Sequence, residues 1–376
     1  MSSEPIEQHL ENERLAKKYR PLLVLYPEIE DGSRRKDHHR HGHRPSRPPL
    51  DQDYHPRDIR LVLDNACLPG RKGRLSREQV LDAMSENSVD YIDLIDRGGP
   101  KDVDKFWRVY AEIHNKDSNS EYHRKAYARV VKGSGRFEDY ISIQYWLAYF
   151  FDDWANVHEM DWEMVSIILK KIGSTEEPVA CVFNAHIGAF RKPWKDVHKV
   201  DDAGNKDPQG LHPVAYIANG SHASYFSDYP PDFNVAAPYL GPVLSKVVRI
   251  AKIGKPFTDY VPCFEEGARY FPDVEVIPQS HEFGRWSGEW RWLNFQGRWG
   301  SPVQMSLPEK IVAGIPVIRR LARFFQRPLR EAGITGPSTK GSCWEDPFNW
   351  VNLECFDAPE TSNWLRKMGG ASANEL

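Results

Sequence analysis

YWLAYFFDDWANVHEMDWEMV, residues 145–165, combines a strand-forming aromatic run with a dense group of acids. Five acids and one histidine stand among seven aromatic residues. Acidic side chains need water or a partner, whereas aromatic side chains favour burial. A segment that holds both is either a surface strand with one wet face or the floor of a polar site in an apolar wall. The second interpretation, which we favour, predicts a functional site within this stretch.

Pairing of 141–153 with 161–170 as a hairpin would sort these side chains by strand alternation. Trp162 and Met164 would then share one face. The other face and the entering turn would gather four polar side chains at one mouth: Asp153, His158, Asp161 and Glu163. Crowded carboxylates repel one another unless a cation or a shared proton compensates, and carboxylates with one imidazole suit Mg²⁺, Ca²⁺ or Mn²⁺. The alternative is a solvated hairpin rim with ordinary surface acids.

Two further histidines follow short apolar runs. His186 comes after VACVF at 179–183, and His222 lies in GSHASY at 220–225, where Gly220 permits a tight turn. For His186 a buried structural role is the competing interpretation. His222 is as good a candidate for a ligand or general base as it is for a structural residue.

Trp290 and Trp292 occur in RWSGEWRWLNFQGRWG at 285–300 and would share one face of a predicted strand. Their rings either clad the core, which we favour, or form a stacking platform for a sugar ring.

The composition is that of a soluble globular protein, with 376 residues, 40% hydrophobic residues and 27% charged residues. A net charge of -3 provides no basic field for nucleic acid. The five cysteines form no CxxC pair, which argues against a disulfide framework or a zinc ribbon. The N-terminus has no apolar signal region, and no apolar run approaches the ~18 residues of a membrane span. We therefore expect a cytoplasmic protein.

The spacing of short apolar runs predicts a mainly β (α+β) fold with an antiparallel β-sandwich core and helical N-terminal and C-terminal additions. The predicted strands are 22–26, 141–151, 161–170, 178–185, 213–218 and 289–296, and the predicted helices lie within 6–19, 54–68 and 76–85. We divide the chain into 1–137 with N-terminal helices and a first strand of the same domain, 138–300 with the sandwich and its site, and 301–376 with basic helices and a tail.

Two basic segments lie outside the predicted sandwich. Residues 33–49 are rich in histidine and proline, and we interpret them as a loop that binds metal only adventitiously. Residues 309–330 have the periodicity of a basic amphipathic helix kinked at Pro316. Such a helix either docks on the sheet with a solvated basic face, which we favour, or makes peripheral contact with a membrane surface.

NVHEMDWEMV at 156–165 resembles the N-x-H-E-G-D-W-E motif of the vacuolar protein sorting-associated protein 62 family. Other segments resemble that family in the same order: YRPLLVLYPE at 19–28, DYHPRDIRLVLDNACL at 53–68, SIQYWLAYFFDD at 142–153, NAHIGAF at 184–190 and HPVAYIANGSHASYF at 212–226. Met160 stands where the family has glycine. Because methionine does not adopt a positive φ cheaply, we expect a different turn geometry or a different space beside the site.

The same segment is more distantly similar to the G-H-R-H-D-W-E heptapeptide of necrosis- and ethylene-inducing proteins, which are metal-dependent β-sandwich proteins that act on plant membranes. His158, Asp161 and Glu163 match that motif, and Asp153 matches the aspartate that closes its preceding strand. In that family these positions form a divalent-metal site, so the resemblance implies metal binding here. It does not imply toxicity.

Three classes of function remain open. One is a divalent-metal-binding protein that recognises a glycan or lipid headgroup, with His186, Trp290 and Trp292 beside the site. Another is a metal-dependent hydrolase, in which His222 or Glu163 acts as general base on a metal-bound water. The last is a structural or interaction protein with no metal site.

Overall fold

The computed structural model describes residues 6–28, 52, 54–71, 73, 75–94, 103–115, 122–153, 158–185, 188–228, 260–279, 284–301 and 335–351. The helices of this part are α1 (Ile6–Lys18), α2 (Arg60–Leu63), α3 (Arg77–Ser85), α4 (Val103–Asn115), α5 (Ser342–Glu345) and α6 (Pro347–Val351). Its strands are β1 (Leu22–Leu25), β2 (Tyr91–Ile92), β3 (Lys125–Lys132), β4 (Tyr140–Asp152), β5 (His158–Ile172), β6 (Thr175–Ala185), β7 (Gly188–Pro193), β8 (Lys199–Val200), β9 (His212–Ile217), β10 (Ser224–Tyr225), β11 (Ala268–Tyr270), β12 (Asp273–Val276) and β13 (Arg298–Trp299).

Two sheets face each other and form the sandwich. The larger has the order β12-β3-β4-β5-β6-β7, and the smaller has the order β10-β9-β1-β11 with β8 beside β9. Apolar residues of both sheets share one core, including Leu147 and Ile167 of the larger sheet and Leu23 and Ile217 of the smaller. The predicted fold class is therefore confirmed. The sheets are mixed, since β1 runs parallel to β9 and β3 runs parallel to β12.

The β4–β5 hairpin is the longest pairing in the described part, and its register confirms the predicted alternation. Leu147 lies opposite Glu163, and Tyr149 lies opposite Asp161, with all four side chains toward the smaller sheet. Trp162 points to the other face, into a second core rich in aromatic residues. That outer core is covered by α2, α3, α4 and the segment 284–301, so the larger sheet is buried on both faces.

Several local predictions are confirmed by the element bounds. Helix α1 and strand β1 occupy the predicted N-terminal positions. Helix α3 begins after Ser76, whose hydroxyl accepts from the backbone N–H of Gln79, while the Gln79 side chain accepts from the Ser76 N–H. This is the reciprocal capping that the sequence predicts.

The predicted strand at 289–296 is wrong, because a 3₁₀ helix occupies Gly288–Asn294. Gly288 has a φ of 59°, and the Asn294 side chain bonds both the N–H and the carbonyl of Trp286, which turns the chain back on itself. Burial of Trp292 drives this geometry, since its ring stacks on Trp162 at 5.4 Å. Packing against the sheet therefore overrides the alternating pattern.

Three predicted features lie outside the described residues: His186, the histidine-rich segment 33–49 and the basic segment 309–330. Within the described part, no helix is long and apolar enough to cross a membrane.

Gly300→Ala tests how tightly β5 packs against the segment that follows β13. Gly300 has a φ of 127°, and a Cβ there would lie 2.7 Å from Cβ of Glu159. We expect this substitution to lower the free energy of unfolding by at least about 2 kcal/mol in urea titrations. Gly70→Ala is the matched control, because Gly70 also has a positive φ but no neighbour within 4 Å. Its cost should be about 1 kcal/mol. Equal losses would contradict this packing.

Candidate functional site

The candidate site lies between the two sheets, where β4 ends and β5 begins. Asp161 and Glu163 project from β5 toward the smaller sheet, and both are buried. His222 comes from the turn between β9 and β10, where its N–H donates to the carbonyl of Ala218. It has a φ of 55°, a left-handed backbone that Gly220 prepares with its own φ of 79°. This turn brings His222 to the face of the larger sheet, 61 residues away from Asp161 in the sequence.

His222 is held rigidly by two contacts. Its Nδ1 lies 3.3 Å from Oδ2 of Asp161. Its ring stacks on Tyr149 with centroids 3.9 Å apart and an interplanar angle of 7°. Since Tyr149 is the cross-strand neighbour of Asp161, the same pair of strands provides both restraints. The ring orientation is thus fixed before any ligand arrives.

The hydrogen bond to Asp161 defines the chemistry of the His222 ring. Burial by itself raises the pKa of Asp161, but the hydrogen bond from His222 and the charge of His158 hold that pKa below its usual value. An ionised carboxylate can only accept, so Nδ1 carries the proton. Nε2 is buried and has no hydrogen-bond partner among the described residues. A buried imidazole nitrogen presented in this way can bind a metal ion or accept a proton.

His158 is placed differently, with both ring nitrogens engaged. Nε2 lies 2.9 Å from Oδ2 of Asp152, and Nδ1 lies 2.6 Å from the carbonyl oxygen of Met160. Burial alone would lower the pKa of His158, but the charge and hydrogen bond of Asp152 raise it to about 9. The ring is therefore an imidazolium that donates from both nitrogens. As placed, it has no lone pair for a metal, and a metal would have to displace one of these acceptors.

Met160 keeps the left-handed backbone that glycine would favour, with a φ of 56°. Of the two expectations for this residue, the different turn geometry is not found, and a different space beside the site stays a prediction. A left-handed non-glycine residue costs about 1–2 kcal/mol. Complete burial of the Met160 side chain in the outer core offsets that cost.

The turn at Met160 sends Glu159 and Asp161 to opposite faces of the sheet, although residues two apart normally share a face. Oε2 of Glu159 accepts from the backbone N–H groups of Leu94 and Ser301, at 3.1 and 3.0 Å. Burial raises the pKa of Glu159 to about 8, and the neighbouring Asp93 contributes in the same direction. Glu159 thus links β5 by hydrogen bonds to the segments that cover the outer core, whereas Asp161 faces the candidate site and bonds His222.

The remaining predicted residues are only partly brought together. Asp153 and Glu163 are buried at the same end of the hairpin. Within the described residues, no three His, Cys, Asp or Glu side chains already surround a point that could hold a metal ion. Trp292 is buried in the outer core and Trp290 is half-buried beside it, on the face of the larger sheet opposite Asp161.

Three residues of the site were missed in the sequence. Tyr149 supports the His222 ring, and its hydroxyl is buried without a hydrogen-bond partner among the described residues. The Ser224 hydroxyl is also buried without a hydrogen-bond partner among the described residues. Lys340 contributes a positive charge that lowers the pKa of Asp161. Only Tyr149 could have been found, by extending the hairpin register to the residue opposite Asp161.

No family model matches the chain, and no curated protein matches it either. The resemblance to the vacuolar protein sorting-associated protein 62 family therefore has no support beyond the motifs themselves. Solved structures do match, and they are of the necrosis- and ethylene-inducing type.

Three of these structures illustrate the extent of the similarity. NLPPya in complex with mannosamine is 16% identical, with 57% of this chain and 68% of that chain covered and a TM-score of 0.26. NLPPya in complex with glucosamine is 22% identical, with coverages of 30% and 48% and a TM-score of 0.21. Necrosis and Ethylene inducing Protein 2, from the causal agent of cocoa's Witches Broom disease, is 20% identical, with coverages of 31% and 50% and a TM-score of 0.22. The chain thus spans about half the length of two of them.

His158 makes stability depend on pH in a defined direction. Its pKa is about 9 in the folded protein against an ordinary 6.5, so its stabilising contribution is complete below pH 6.5 and is lost as the pH rises through 9. We expect the free energy of unfolding to fall across this range by on the order of 1–3 kcal/mol. Urea titrations at several pH values measure it.

Glu159 also makes the free energy of unfolding fall as the pH rises, because its pKa is raised from 4.5 to about 8. Its stabilising contribution begins to be lost above pH 4.5, which is lower than the onset for His158. His158→Gln separates the two groups, since it should reduce only the part of the slope that lies between pH 6.5 and 9. An unchanged slope in this variant would show that His158 is not a buried imidazolium.

Proposed function

We propose that the chain is a binding protein whose site between the two sheets takes a divalent cation, Mg²⁺, Ca²⁺ or Mn²⁺, together with the hydroxyl groups of a glycan headgroup. The proposal is carried by one observation, the buried and unpartnered Nε2 of the His222 ring, whose Nδ1 bonds the buried carboxylate of Asp161. A buried lone pair next to buried negative charge is stabilised by a cation.

The charge around the site supports a cation. Four carboxylates at this end of the hairpin are each no more than 5% exposed: Asp152, Asp153, Asp161 and Glu163. Among the described residues, the imidazolium of His158 lies within this group, and the ammonium of Lys340 acts on it. The four carboxylates therefore lie close to one another in a region with little solvent. A bound cation would reduce the repulsion between them.

The residues present fit a cation in part. Carboxylate oxygens of Asp161 and Glu163 and an imidazole nitrogen are suitable donors for it. When bound, such an ion supplies positive charge that attracts sugar hydroxyl oxygens. The chain itself adds the hydroxyls of Tyr149 and Ser224, which are buried without partners among the described residues and suit hydrogen bonding to a polyol.

Calorimetric titration of each cation into the full chain tests the proposal. We expect binding by the unmodified chain and at least about tenfold weaker binding by Asp161→Asn, because this carboxylate either binds the cation or orients His222. Asp273→Asn is the control, since Asp273 is an exposed aspartate on β12 of the same sheet. No binding by the unmodified chain, or equal binding by both variants, would overturn the proposal.

The glycan part has its own measurement. Glucosamine and mannosamine, which two of the matched structures carry, are suitable first ligands. We expect their binding to require the cation and to weaken in Tyr149→Phe, which keeps the ring that stacks on His222 and removes only the hydroxyl. If the cation binds but neither sugar does, the protein binds a metal ion and the glycan part of the proposal is overturned.

A metal-dependent hydrolase is the second candidate, favoured by the geometry of Asp161 and His222. A carboxylate that orients an imidazole at Nδ1 and leaves Nε2 available is the arrangement of a general base. Chromogenic phosphoesters and glycosides assayed with added cation test it. Activity that falls about 100-fold or more in His222→Gln would favour the enzyme, and no turnover across the panel would favour the binding protein.

A further inference from the structure

We propose that the core between the two sheets contains an inner subsite for one uncharged hydroxyl group, formed by the hydroxyls of Tyr149 and Tyr270 and by Nδ1 of His55. The occupant is a water molecule or a hydroxyl of a polyol, because both donate and accept hydrogen bonds. The subsite shares Tyr149 with the proposed function but requires no cation, so the two can be tested separately.

The two tyrosines come from opposite sheets of the sandwich. Tyr149 lies on β4, and Tyr270 lies on β11 opposite Leu23, where it packs against the inner core. Burial raises the pKa of Tyr149, and the nearby Tyr270 raises it further, which places the two phenols close together. Both hydroxyls are nevertheless buried without a hydrogen-bond partner among the described residues, so they do not bond each other. Buried polar groups in this condition are commonly satisfied by a third group that lies between them.

His55 adds a buried acceptor beside Tyr270. The two rings stack with centroids 5.8 Å apart and an interplanar angle of 26°. Nε2 of His55 lies 2.9 Å from the carbonyl oxygen of Tyr26, and since a carbonyl only accepts, Nε2 carries the proton. Nδ1 lies 3.8 Å from Oε2 of Glu28, beyond hydrogen-bond distance, and has no partner among the described residues. The lone pair of Nδ1 therefore lacks a donor.

The chemistry of these three atoms selects the occupant. A carboxylate cannot donate to Nδ1 of His55. An ammonium group would be disfavoured as the His55 imidazolium is: burial lowers the pKa of this ring to about 4, and the charges of Arg124 and Arg57 contribute in the same direction. A hydroxyl group, in contrast, can donate to Nδ1 and accept from both phenols. A buried water typically makes about three hydrogen bonds, which matches this set.

Oxygen-17 magnetic relaxation dispersion of the full chain without added cation tests the subsite, because it detects water molecules held inside a protein. We expect a long-lived internal water in the unmodified chain that is lost in Tyr270→Phe. Tyr145→Phe is the matched control and should retain the water, since the buried Tyr145 hydroxyl donates directly to the carbonyl of Ala16 at 2.9 Å. Glycerol identifies the source of the hydroxyl. Loss of the water on addition of glycerol, with nuclear Overhauser effects from glycerol to the Tyr270 ring, identifies a polyol, and retention identifies water.

Urea titrations give a second measurement. Removal of a hydrogen-bonded hydroxyl lowers the urea midpoint, whereas removal of an unpaired buried hydroxyl leaves it unchanged or raises it. We expect a lower midpoint in both Tyr270→Phe and Tyr149→Phe. The double variant should lose less than the sum of the two single losses, because both changes remove contacts to the same occupant.

Three results would overturn the inner subsite and leave the cation proposal untouched. An unchanged or higher midpoint in Tyr270→Phe would show that the hydroxyl is unpaired. A lower midpoint with no loss of internal water and no contact with glycerol would show that the hydroxyl bonds the protein itself. Additive losses in the double variant would show that the two tyrosines share no occupant. If Tyr270→Phe does not fold, nuclear Overhauser effects between water and the hydroxyl protons of Tyr149 and Tyr270 in the unmodified chain decide, and their absence from both would overturn the subsite.

Discussion

The left-handed backbone at Met160 is the constraint on which the site depends. It reverses the direction of side chains at the start of β5, so that Glu159 and Asp161 serve different layers. Glu159 holds the segments around Leu94 and Ser301 against the outer core. Asp161 is free to meet His222 on the inner side. A regular strand would place both carboxylates on one face, where their charges would repel and one layer would lose its anchor.

Burial on both faces of the larger sheet explains why this constraint can persist. The β4–β5 hairpin has aromatic cover on its outer face and the smaller sheet on its inner face, so its polar groups cannot relax into water. Each buried charge must find a partner inside the protein. Asp152 finds His158, and Asp161 finds His222. Nε2 of His222 and the hydroxyls of Tyr149 and Ser224 are buried without a partner among the described residues, and the proposed ligand chemistry follows from these atoms.

The two histidines illustrate how much the surroundings determine. Both are buried and both contact an aspartate, yet one is an imidazolium closed by two acceptors and the other presents an open nitrogen. The difference arises from the contact that each ring makes in addition to its aspartate. Nδ1 of His158 meets a backbone carbonyl that the turn at Met160 provides, whereas the ring of His222 meets the flat face of Tyr149.

The sandwich class, the hairpin, its alternation and the concentration of acids at one end could all be predicted from the amino-acid pattern, because periodicity and residue chemistry are local properties. Packing between distant segments set the remaining features. It turned the segment at 288–294 into a 3₁₀ helix because Trp292 had to cover Trp162, and it let Met160 keep a glycine-like turn because its side chain is buried. It also decided which histidine is open, since that depends on contacts between residues far apart in the chain, and no local pattern encodes them.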